Sequence, residues 1–153
     1  MGKGYEKNMT EAQICYDKAV EQKEAYAICN VGRKYLLADG VEQNYFKAKE
    51  LFEIAGEAGQ SSALHYLGHL YENGKGVEKD FKLAFHYYSR AAEKKLSTSL
   101  NNIAVLYENG SGVPRDLNKA AEFYQKAIDL GDKFITINSI IHFLKPFLRI
   151  TFS

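Results

Sequence analysis

Apolar residues return along this chain at helical spacing, in two alternating sets. In the middle of the chain Leu64, Leu67, Gly68 and Tyr71 step by three, one and three, which places them on one face of a helix. Phe81, Ala84, Phe85, Tyr88, Ala91 and Ala92 do the same for a second helix. Between the two sets, Asn73-Gly74-Lys75-Gly76 is a strong breaker, because glycine enters positive φ at little cost and ends a helix there. Asp80 stands just before the second helix, where a carboxylate can accept hydrogen bonds from orphan amides; Asp116 and Asn44 stand at equivalent places. The pattern predicts a helix hairpin.

The hairpin is written more than once. Tyr71-Glu72-Asn73-Gly74-Lys75-Gly76-Val77 returns 36 residues later as Tyr107-Glu108-Asn109-Gly110-Ser111-Gly112-Val113. A 36-residue ruler yields three ungapped units, 26–61, 62–97 and 98–133, and the second and third are identical at 12 of 36 positions. Those identities fall on the apolar and hinge positions, so they belong to the packing. Small residues recur at Ala27, Ala63 and Ser99, and at Gly32, Gly68 and Ala104, while aromatics recur at Tyr35, Tyr71 and Tyr107. One such hairpin cannot bury its own apolar face and must stack on its neighbours. The expected fold class is all-α: an α/α superhelix, or solenoid, of stacked antiparallel helix hairpins with a 36-residue period.

Both ends depart from the period. Residues 2–25 align with the second half of a unit, Gly2 opposite Gly74 and Tyr16 opposite Tyr88, so they are expected to be a half repeat supplying only a second helix. That half repeat is either the cut end of a longer array or a one-helix cap, and the inner face of its helix, 10–23, is expected to be less covered than its equivalents. Residues 134–153 form an apolar tail without glycine, interrupted by Lys145, Pro146 and Arg149. Too short and broken for a transmembrane helix, it is either a capping helix over the last hairpin or an unrelated end, and it is the main aggregation liability.

Ala63, Leu67, Gly68, Tyr71, Gly74, Gly76, Val77, Asp80, Ala84, Tyr88 and Ala91 together resemble the Sel-1-like repeat (SLR), a relative of the tetratricopeptide repeat with a longer turn between its helices. The likeness covers about residues 2–133. Unit 98–133 keeps nearly all of the pattern, with Ala104 in place of the glycine. Unit 26–61 is the most degenerate: Leu37 is set opposite Gly74, Ala38 and Asp39 follow, and Asn44 replaces the aspartate. The resemblance implies an adaptor on which other proteins assemble; the family includes adaptors of membrane-bound ubiquitin ligases, chitin synthase activators and bacterial host-interaction proteins. By likeness to tetratricopeptide arrays, the first helices would line a concave groove. That places Asn30 and Arg33, then His65, Tyr66, His69 and Glu72, then Asn101, Asn102, Val105 and Glu108, along a protein-binding surface.

Composition narrows the alternatives. Acids and bases nearly cancel at +1, which gives no general attraction to nucleic acid or an anionic membrane. Two cysteines are too few for a disulfide framework and lack metal-site spacing, so Cys15 and Cys29 are expected to be packed thiols. His65 and His69 have the i, i+4 spacing of a two-histidine metal site, but the sequence offers no third ligand. The histidine positions vary from unit to unit, as a binding surface would. No metal, cofactor, small-molecule substrate or catalytic residue is expected. No apolar leader precedes the repeats, so a cytoplasmic monomer is the default expectation. The leading function is a non-catalytic scaffold that holds a partner segment in the groove. The alternative is a structural spacer in a longer repeat protein whose catalytic or membrane domain lies elsewhere.

Overall fold

The computed structural model describes residues 24–131, together with Ile14, Asp17 and Lys18. The expectations for the half repeat 2–25 and the tail 134–153 lie outside the described residues, apart from these few positions. Among the described residues there are six α-helices of 13 residues each and no strands: α1 (Ala25–Leu37), α2 (Tyr45–Glu57), α3 (Ser61–Asn73), α4 (Phe81–Glu93), α5 (Ser97–Asn109) and α6 (Leu117–Asp129). Each helix packs on the one before it and the one after it, within hairpins and between them. This serial contact is the all-α solenoid that the period predicts.

The helix ends follow the sequence signals. Asn44 accepts a hydrogen bond from the Lys47 amide at the start of α2; Asp80 accepts from Lys82 and Leu83, and Asp116 from Asn118 and Lys119. α3 and α5 end on Gly74 (φ 63°) and Gly110 (φ 68°), both left-handed. In the first hairpin the left-handed cap is Ala38, at φ 57°, which corrects the alignment of Leu37 with Gly74. Leu37 is the last helical residue, and an alanine carries the conformation that the other two units give to glycine.

The stack works by pairing a small residue on each first helix with a ring on its second helix. A Cβ added at Gly32 would lie 2.8 Å from Phe52, and one at Gly68 would lie 2.6 Å from Tyr88. Ala104 fills the same place against Tyr124, which is 6% exposed where Tyr88 and Phe52 are 0%. Alanines at 48, 55, 84, 91, 120 and 127, all fully buried, let the second helices approach their neighbours closely. Tyr71 stacks on Tyr87 and Tyr107 on Phe123, with ring centroids 5.6 and 5.7 Å apart, so the hinge tyrosines brace the hairpins from the side.

Candidate functional site

The groove candidates all sit on first helices: Asn30 and Arg33 on α1, His65, Tyr66, His69 and Glu72 on α3, and Asn101, Asn102, Val105 and Glu108 on α5. Arg33 is exposed and the other nine are half-buried. Several of them also hold the protein together. The Tyr88 hydroxyl donates to Glu72 Oε2 at 2.6 Å, and the Tyr124 hydroxyl donates to Glu108 Oε2 at 2.7 Å, so each glutamate ties α3 to α4 or α5 to α6. Burial, then the hydrogen bond to a carboxylate and its charge, pushes both phenols well above their ordinary range; the Asn102 amide beside Tyr88 acts the other way. These hydroxyls therefore stay protonated donors and are not bases. Unit one replaces both partners together: Leu36 and Phe52 stand where unit two has Glu72 and Tyr88. That joint exchange at a constant offset is the sequence signal that reveals the tie.

Two more candidates lie at the joints between hairpins. His65 Nδ1 is 2.9 Å from the hydroxyl oxygen of Ser99, a fully buried polar residue, which links α3 to α5. Tyr66 stacks on Phe52 of the preceding hairpin, with ring centroids 4.8 Å apart at 18°. Replacing Tyr66 or Asn102 would therefore disturb packing as well as any bound partner. Among the described residues no hydrogen bond, ion pair or ring contact ties Asn30 or Arg33 to another helix, which makes them the cleanest probes of the surface.

Burial, reinforced by the charge of His69, pulls the His65 pKa down to about 4. His69 is lowered too, by burial first and then by Lys75, against the opposing charge of Glu72. Folding thus favours neutral imidazole, and the unfolded chain takes up the proton first as pH falls. The stabilisation from His65 is complete above its unfolded pKa of about 6.5 and is lost as pH drops toward 4, by at most about 3 kcal/mol. Urea denaturation at intervals between pH 7 and pH 4 is expected to show this decline, and His65→Gln is expected to flatten it.

His69 Nδ1 and Asn101 Oδ1 are buried and have no hydrogen-bond partner among the described residues. Among the described residues no three of His, Cys, Asp and Glu gather into a metal-holding group. The Cys29 thiol is buried, and burial raises its pKa to about 11 against a smaller opposing effect of Arg33, so it is a packed thiol with little thiolate character. No described helix is long and apolar enough to cross a membrane.

The Sel1 repeat family model matches the chain at residues 1–24, 25–60, 61–96 and 97–132. No curated protein matches the sequence. Among solved structures, a Sel1 repeat protein from Oxalobacter formigenes is 32% identical with a TM-score of 0.72, over 76% of this chain and 48% of that one. A protective antigen present in uropathogenic Escherichia coli strains and displaying an SLR fold is 31% identical with a TM-score of 0.73, over 78% of this chain and 26% of that one. Cysteine-rich protein B of Helicobacter pylori is 28% identical with a TM-score of 0.66, over 86% of this chain and 94% of that one. The chain therefore spans about half the length of the first of these proteins and about a quarter of the second.

Proposed function

The chain belongs to the Sel1 repeat family, and from that premise we propose that it is a non-catalytic scaffold that binds a segment of another protein along its first helices. Repeats of this family commonly serve as protein-interaction scaffolds. The observation that carries the reading is a division of labour between positions. Fully buried positions repeat from unit to unit, as alanine does at 48, 84 and 120. Positions on the first helices change: Asn30, Tyr66 and Asn102 share one register, and Arg33, His69 and Val105 share another. Packing requires sameness from a stack, whereas recognition of an irregular partner requires difference. The mixture of amide, imidazole, aromatic and a few charges suits hydrogen bonding to a peptide backbone and shallow contact with its side chains.

Affinity capture from lysate with the wild-type chain and with an Asn30→Ala/Arg33→Glu variant tests this surface, with circular dichroism checking that helicity is unchanged. Selective loss of one or more partners by the variant is the expected result. Equal recovery of every partner would sink the groove assignment.

A further inference from the structure

The hinges of the three hairpins are filled differently, and the middle one is open. In the first hairpin, Lys47 Nζ sits over the Tyr35 ring at 4.7 Å, and Gln43 Nε2 donates to the Leu36 carbonyl at 2.9 Å. In the third, Lys119 Nζ sits over the Tyr107 ring at 5.4 Å, and Arg115 Nε donates to the Glu108 carbonyl at 2.9 Å. These pairs are in register at 36 residues, so in two hairpins a cation covers the hinge tyrosine and a side-chain N–H meets the carbonyl beside it. The second hairpin has neither. Leu83 stands in register with Lys47 and Lys119, and the ammonium of Lys79, in register with Gln43 and Arg115, is turned onto Phe81 at 4.8 Å. What remains is a cleft of about 500 Å³ lined by Tyr71, Val77, Glu78, Lys79, Asp80 and Leu83.

We propose that this cleft receives an arginine side chain from a partner protein. A single guanidinium supplies both missing contacts: its plane lies against the Tyr71 ring as the lysines lie against Tyr35 and Tyr107, and an N–H reaches the Glu72 carbonyl as Arg115 reaches Glu108. Charge favours it. Glu78 lines the cleft and makes no ion pair among the described residues. Asp80 already accepts from the first amides of α4, which offsets the positive end of that helix. Tyr87 stacks on Tyr71, with ring centroids 5.6 Å apart, so the ring is braced before any ligand arrives. None of the six lining residues is a groove candidate, and the arginine meets Glu72 only at its backbone carbonyl, so side-chain variants test the two sites separately.

The probe is a capped Gly-Arg-Gly peptide, compared with its neutral citrulline counterpart, titrated into the full chain while amide NMR shifts of Val77, Glu78 and Leu83 are followed. Saturable shifts are expected with arginine, with citrulline weaker by about tenfold or more. Leu83→Lys restores the cation found in the other two hairpins, at a position 39% exposed, and is expected to abolish the response with the fold intact. Glu78→Gln is expected to weaken it several-fold. Absence of saturable shifts, equal shifts with citrulline, or an unchanged response in Leu83→Lys would overturn the proposal.

Discussion

Gly112→Ala is expected to destabilise the protein by about 2–5 kcal/mol, through a left-handed conformation costing about 1–2 kcal/mol and overpacking costing about 1–3 kcal/mol. Gly112 has φ +72°, and a Cβ there would lie 2.6 Å from the carbonyl carbon and oxygen of Phe81 and 2.8 Å from the Lys82 nitrogen. Those atoms are backbone at the start of α4, where Asp80 caps the helix, so no side-chain rotation relieves the contact. The hinge of the third hairpin is thus wedged onto the helix start of the second. Gly76 is seated the same way on Tyr45 and Phe46. Gly40 supplies the control: it has φ +73° with nothing among the described residues within 4 Å of the added Cβ, so against those residues Gly40→Ala is expected to cost only the conformational part, about 1–2 kcal/mol. Urea denaturation followed by helix ellipticity should separate the two variants clearly. Equal midpoints would mean that the hinge glycines serve conformation alone and do not lock neighbouring hairpins.

Tyr88→Ala is expected to cost about 3–5 kcal/mol, the range for removing a fully buried aromatic side chain. Tyr88 is 0% exposed, lies against the backbone at Gly68, packs beside His65 at 5.4 Å and donates to Glu72. Tyr88→Phe isolates the last of these and is expected to cost about 1.5–3 kcal/mol, the range for a hydrogen bond to a charged group. Adding Glu72→Leu rebuilds the Phe52 and Leu36 pair of the first hairpin and should recover part of that loss, because an apolar pair leaves no carboxylate without its donor. The recovery stays partial because Asn102 also meets the Tyr88 hydroxyl. Denaturation of the two single variants and the double variant measures the coupling directly; strictly additive losses would contradict the tie.

Most of the fold is legible in the sequence because the packing rules repeat. Leu64, Leu67 and Gly68 announce their face by spacing, and Asn44, Asp80 and Asp116 announce helix starts by chemistry. Ala38 is less legible because nothing about alanine signals a left-handed residue; only its register with Gly74 and Gly110 does. The site is less legible. Residues on a first helix turn by about 100° per position, and the rotation between hairpins decides which face meets the neighbouring hairpin and which stays open. His65 thus goes to the joint with Ser99, Tyr66 onto Phe52 and Glu72 to Tyr88, although all three look like surface positions by spacing. The hinge cleft is invisible for a related reason. Leu83 in place of a lysine is an unremarkable change until the lysines at 47 and 119 are seen covering tyrosine rings.

Whether partners dock on the first helices can be tested by site-specific photo-cross-linking. A benzophenone side chain placed at Arg33, exposed on α1, is expected to form adducts with captured partners, whereas one at Glu122, exposed on α6 and away from the hinge cleft, is expected to form few. Adducts from position 122 with none from position 33 would contradict docking on the first helices.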